Sequence, residues 1–136
     1  MANLFATPSW SIELPDGWQS THLEDHVKLE PPDHTVKLLM SDYDPVRFGA
    51  KADGWVEAVA QISRRRERSV TPVRCGDFSG YLIEFESQGT MYRDWVLRVG
   101  DFALEAACTG QASSADRHYR SVIRMLNSLR FLGVAA

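Results

Sequence analysis

Apolar and polar positions alternate with a period of two along Trp10-Ser11-Ile12-Glu13-Leu14, the spacing of a strand with one face buried. Pro15-Asp16-Gly17 ends the alternation with turn chemistry. Pro presets φ, Asp bonds its own backbone and Gly supplies a positive φ, so Trp18 swings back onto the sheet. A second strand is predicted from His26 to Glu30, with Val27 and Leu29 on one face. Pro31-Pro32-Asp33 closes it, and Val36 to Met40 reads as a third. After a polar stretch from Asp42 to Gly49 the period lengthens: Trp55, Val59 and Ile62 fall at i, i+4 and i+7, with Val56 beside them, so a helix is predicted with Asp53 as its N-cap. Arg64, Arg65, Arg66 and Arg68 place cations at the negative end of its macrodipole and terminate it.

From Pro72 onward the pattern is a meander of about four strands: Val73 to Cys75, Gly80 to Ser87, Met91 to Val99 and Phe102 to Thr109. Gly76-Asp77, Gln88-Gly89 and Gly100-Asp101 supply the hairpin turns, each with a residue that tolerates positive φ. A final helix follows, with Ser113 or Ser114 as its cap and Asp116 in its first turn. Tyr119, Val122, Ile123, Leu126 and Leu129 form its apolar stripe, and Arg117, Arg120 and Arg124 stand on the opposite face. The order βββ-α-ββββ-α, with hairpin-length connections on the C-terminal side, implies an α+β fold: a mainly antiparallel sheet covered by helices. No repeat, low-complexity stretch or linker divides the chain, so residues 1–136 read as a single domain.

Composition narrows the function classes. At 136 residues, 44% hydrophobic and 24% charged, the chain has an ordinary globular mix that folds around one core. With 15 Lys and Arg against 18 Asp and Glu the net charge is −3, which disfavours nucleic acid as a partner. Met1 to Pro8 contains no basic n-region, and nowhere do roughly 18 apolar residues follow one another. Export and membrane insertion are therefore disfavoured, and a cytoplasmic location is expected. Cys75 and Cys108 lack the paired spacing of a zinc or redox motif and are expected as two reduced, buried thiols.

The Leu14-Pro15-Asp16-Gly17-Trp18 segment, a mid-chain helix, the strand Tyr92-Arg93-Asp94-Trp95-Val96-Leu97 and the ending Asn127-Ser128-Leu129-Arg130-Phe131 form a combined pattern. It resembles the Mog1/PsbP-like superfamily, including the bacterial DcrB-like branch. The resemblance implies an α/β/α sandwich that works by binding another protein: a small GTPase, a photosystem core, or a secreted effector that needs a chaperone. It brings no active site with it, because Leu14, Gly17, Trp18, Leu129 and Phe131 all read as packing or turn residues.

Several clusters carry possible chemistry. His22, Glu24, Asp25 and His26, with Asp33 and His34 nearby, are metal-ligand types, but their spacing suits a helix where turn and strand signals stand, so a solvated polar edge is expected. Cys108 with His118 or His34 would pair a nucleophile with a base, although its apolar neighbours make it a core thiol. The run Arg64-Arg65-Arg66-Glu67-Arg68 suits a phosphate or an acidic partner as well as a helix terminus. Asp42 and Asp44, flanking Tyr43, are paired carboxylates or loop caps. Glu84, Glu86, Arg93 and Arg98 are expected as cross-strand pairs on the wetter part of the sheet. Trp10, Trp18, Trp55 and Trp95 could line a pocket or a binding hot spot, but they lie in phase with apolar faces and most are expected in the core, which leaves Tyr43 and Tyr92 as exposed aromatics.

The sequence thus points to a non-catalytic protein-interaction or chaperone-like adaptor, with no cofactor and with Tyr43, Tyr92, Arg64, Arg65, Arg66 and Arg68 as partner contacts. The alternative is a small-molecule-binding protein or small hydrolase using the Asp42/Asp44 loop with the His22 to His34 region. A deep, dry pocket with a perturbed carboxylate under that loop favours the second. A shallow apolar patch above roughly 600 Å² favours the first.

Overall fold

The computed structural model describes residues 3–43 and 51–133. In chain order these form β1 (Asn3–Ala6), β2 (Trp10–Leu14), β3 (Gln19–His22), β4 (Val27–Glu30), β5 (Val36–Tyr43), α1 (Ala52–Arg65), β6 (Ser69–Cys75), β7 (Phe78–Ser87), β8 (Thr90–Val99), β9 (Phe102–Gln111), α2 (Ala112–Asn127) and β10 (Arg130–Phe131). A seven-stranded sheet runs β3-β4-β5-β9-β8-β7-β6, and a three-stranded sheet runs β1-β2-β10. Every neighbouring pair in both is antiparallel.

Alternation sorts the side chains of the large sheet between two layers. Trp95, Leu97 and Leu104 join Trp10, Met125 and Leu126 in the main core, on the face covered by α2 and the small sheet. Val96 and Ile83 join Val56 in a smaller core beneath α1. The result is the α+β architecture the sequence pattern implies, helices on both faces of an antiparallel sheet, with the small sheet lying beside α2. No helix among the described residues is long and apolar enough to cross a membrane.

The helix details differ from the pattern. The buried seam of α1 is Ala52, Val56, Ala60 and Ser63, while Ile62 is 48% exposed. The seam is turned by about one position because the two alanines let the helix lie close to the sheet. Asp53 is not the cap: Lys51 occupies that position without a side-chain bond, and Asp53 Oδ1 accepts from the Gly54 N–H at 2.9 Å. Arg66 is the C-cap residue, and Arg68 stands beyond Glu67 at φ 60°. Helix α2 begins earlier than expected, so Ser113 and Ser114 lie inside it and Gln111 is its N-cap residue. Leu129 lies past its end, fully buried.

Strands β1, β3 and β10 escaped the pattern because they are two to four residues long and β3 is wholly polar and exposed. Strand β6 starts before Pro72, which is tolerated because this strand is an edge of the sheet. Arg93 also departs from expectation. It pairs with Glu84, Nε to Oε2 at 2.9 Å, yet it is only 9% exposed, with its guanidinium 4.2 Å over the Tyr119 ring and donating to Asp116 Oδ1 at 3.3 Å. It fastens α2 to the sheet and does not sit on a wet surface.

The chain end is fixed by the β6–β7 turn. The Asp77 N–H donates to the Leu129 carbonyl at 3.1 Å, and Asp77 Oδ2 accepts from the Phe131 N–H at 2.9 Å. Ser128 Oγ accepts from the Glu13 N–H at 2.8 Å, which ties the same segment to the small sheet. Gly76 makes the approach possible: its φ is +61°, and a Cβ there would stand 2.0 Å from the Leu129 carbonyl oxygen. Gly89 has a similar φ of +81° but faces open space. We predict that Gly89→Ala costs about 1 kcal/mol from backbone strain alone, whereas Gly76→Ala costs at least twice as much because backbone must also move. Urea denaturation of the two variants measures the difference.

Candidate functional site

Helix α1 packs on β6, β7 and β8 and leaves the same face of β9 and β5 beside it. Strand register arranges that face in rungs. Lys37, Thr109, Tyr92 and Phe85 form one. Leu39, Ala107, Asp94 and Ile83 form the next, and Ser41, Glu105, Val96 and Tyr81 the one after. Asp94 and Glu105 are therefore diagonal neighbours on adjacent strands, within side-chain reach.

They lie close enough for Glu105 to raise the Asp94 carboxyl. Tyr43 Oη donates to Glu105 Oε1 at 2.8 Å, and the Tyr43 ring lies 5.2 Å from that of Trp55 on α1. Asp94 Oδ1 is buried without a hydrogen-bond partner among the described residues. Burial, and then the Glu105 carboxylate, hold Asp94 protonated far above the usual carboxylate range, with the Arg68 charge opposing them weakly. Burial likewise raises the Tyr43 phenol, reinforced by Glu105. Chemically this is a buried Asp94 held protonated beside Glu105, which Tyr43 engages.

One rung away the Phe85 and Tyr92 rings stack at 4.7 Å and 8°, and the Arg68 guanidinium lies 3.8 Å over Phe85. Arg64 sits 5.3 Å over Tyr81, whose hydroxyl donates to Glu57 Oε1 at 2.7 Å. Of the residues singled out as partner contacts, Tyr43, Tyr92, Arg64 and Arg68 thus share or border this face, and Arg65 and Arg66 project into solvent. Both tyrosines are half-buried, not exposed as the pattern suggested. A hollow of about 300 Å³ opens beside Tyr92, with Lys37, Thr90, Thr109 and Gln111 in its walls.

The second candidate lies toward the opposite face. His22, Glu24, Asp25, His26 and Asp42 line a cleft of about 240 Å³ with Trp10. Trp10 Nε1 donates to Asp42 Oδ1 at 2.7 Å. Burial raises the Asp42 carboxyl and that bond partly offsets the rise. Asp25 Oδ1 and His26 Nδ1 are 2.7 Å apart, a bond that lowers the Asp25 pKa. Asp44 lies outside the described residues. Asp33 goes elsewhere, to Arg117 at 2.9 Å and His118 at 3.0 Å, so His118 is committed away from Cys108. Among the described residues no three His, Cys, Asp or Glu side chains are placed to hold one metal ion. Both thiols are free and buried, and burial pushes each up to about 11, which makes them inert near neutrality.

The Asp94–Glu105 pair escaped the sequence reading. Its signal was present: Asp94 alternates with Val96 and Glu105 with Ala103 and Ala107 on strands joined by a tight Gly100 turn, so two acids fall on inward-facing positions of neighbouring strands.

An antiparallel sheet with α1 on one face and α2 on the other defines a PsbP-like α+β fold. The solution structure of cyanobacterial PsbP (CyanoP) from Synechocystis sp. PCC 6803 matches with a TM-score of 0.58 and 10% identity, covering 96% of this chain and 92% of that one. A crystal structure of a protein from Bacteroides thetaiotaomicron VPI-5482 matches with a TM-score of 0.63 and 17% identity over 90% of this chain. The chain spans only 44% of that protein's length. Neither a protein-family model nor a curated protein sequence matches the chain.

A folded pKa raised above the unfolded value gives a defined pH dependence. Below about pH 4 Asp94 is protonated in both states; as pH rises further the unfolded chain releases this proton and the folded chain keeps it, so stability falls. We predict that wild type loses stability relative to Asp94→Asn from about pH 4 through neutrality into the alkaline range. Thermal melts of both proteins across that range check the sign, and parallel curves would refute the raised Asp94 pKa.

Proposed function

We propose that the protein is a non-catalytic protein-binding module that meets its partner in the cytoplasm through the sheet face beside α1. The observation that carries this reading is the half-exposed rung of Lys37, Thr109, Tyr92 and Phe85, closed by Arg68. It offers stacked aromatic rings flanked by cations, the composition of an interface centre with a charged rim. Beside it Glu105 already accepts from Tyr43, and burial holds Asp94 protonated. That arrangement favours rigidity over turnover, and the likeness to a PsbP-like fold, being a likeness of fold alone, adds no chemistry.

A second reading, binding of a small molecule in the Trp10–Asp42 cleft, rests on the raised Asp42 carboxyl there. Its volume of about 240 Å³ falls below the usual range for ligand pockets, which places it second.

Affinity capture from native lysate separates the two. We predict one protein enriched in near-stoichiometric yield by wild type and lost with Tyr92→Glu. Equal capture by Tyr92→Glu would move the interface elsewhere. Enrichment of no protein over an unrelated control of similar size would overturn the reading and favour the cleft.

A further inference from the structure

Resting on that reading, we infer that the partner presents an extended acidic segment, seating one carboxylate in the Lys37–Tyr92 hollow and a second against Arg68 across the sheet. The hollow holds about 300 Å³. The side chains that bring polar atoms to it, among them Lys37, His34, Thr90, Thr109 and Gln111, are cationic or neutral, and no carboxylate lines it. Lys37 has no ion pair among the described residues, whereas the nearby Glu30 is engaged by Lys28 at 3.3 Å and His34 at 3.5 Å. A negative group entering the hollow therefore meets an unneutralised ammonium and several hydrogen-bond donors.

The far end of the rung is also cationic. Strand β6 starts with Ser69 opposite Glu84, so Arg68 stands opposite Phe85, on which it stacks. Arg65 and Arg66 nearby are exposed and make no ion pair among the described residues. The face is thus positive at both ends on a chain whose net charge is −3, and that local reversal selects an acidic partner.

The separation of the two ends sets the spacing on the partner. From β5 through β9, β8 and β7 to the β6 position is four strand intervals, about 19 Å at ~4.8 Å each. An extended chain advances about 3.3 Å per residue, so roughly six residues bridge that distance. Between the acids the segment crosses the edges of the Tyr92 and Phe85 rings, where an apolar side chain fits. Free phosphate could satisfy the Lys37 hollow but could not reach both ends.

Fluorescence anisotropy of the full chain with a labelled peptide tests this, using two glutamates six residues apart with leucine and alanine between them. We expect binding that weakens about tenfold or more when both glutamates become glutamine, when they are moved to two residues apart, with Lys37→Glu, and with Arg68→Glu, and that weakens further with added salt. Lys37 is exposed, so its variant keeps the fold. Absence of binding, equal binding of the glutamine or close-spaced peptide, equal binding by Lys37→Glu, or complete displacement by an equal concentration of inorganic phosphate would each overturn the inference. If lysate capture is lost with Tyr92→Glu but kept with Lys37→Glu and Arg68→Glu, protein binding stands and the acidic segment falls.

Discussion

Strand β8 is covered on both sides, and that constraint organises the rest of the molecule. Its alternation must serve two layers at once: Trp95 and Leu97 belong to the main core, Val96 to the core under α1. Two of its ionisable residues, Arg93 and Asp94, lie within these layers and cannot be buried unaided. Arg93 is satisfied by Glu84, Asp116 and the face of Tyr119, so a charge survives in a nearly buried site. Asp94, one position on and facing the other layer, has a second acid for a neighbour and gives up its charge. Neighbouring positions in one strand thus solve the same desolvation problem in opposite ways, according to the partners that register supplies.

The second constraint is width. Seven strands span about 29 Å, whereas a helix with its side chains is about 10–12 Å across. One helix cannot cover such a sheet. On the main-core face the deficit is met by α2 together with β1, β2 and β10. On the other face α1 covers β6, β7 and β8. The rungs beside it are populated by residues suited to a half-wet surface, with hydroxyls, ring edges and cations following one another from β5 to β6.

Much of the fold was legible because strong periodicity and turn chemistry agree. The hairpins at Gly76, Gln88-Gly89 and Gly100 lie where positive φ is required, and the apolar runs between them are long enough to be unambiguous. Strands β1, β3 and β10 lack that length and take their structure from the neighbours they pair with. The α1 seam was misread because alanine carries little hydrophobic weight in a pattern but great weight in close packing. At the site, Tyr43, Tyr92 and Arg68 could be singled out one by one. What makes them one face is the β5–β9–β8–β7 register, which joins residues more than fifty positions apart. Likewise, nothing local to Asp94 or Glu105 announces that they meet; pairing across the Gly100 turn brings them together.

The terminal segments that carried the family resemblance turn out to serve the fold. Gly17 takes φ +84° in a turn closed by the Trp18 N–H to the Pro15 carbonyl. Ser128, Leu129 and Phe131 lock the chain end to the small sheet and the Gly76 turn. A signature made of such residues transmits architecture from one sequence to another and says little about what the surface meets. Any specific role must then rest on side chains the fold does not consume. Lys37, Arg65 and Arg66 satisfy no ion pair among the described residues, and the Tyr92 ring edge covers no element of the core. Of these, Lys37 and Tyr92 stand on one face of the sheet, and the acidic, partly apolar partner proposed above is the one that their chemistry suits.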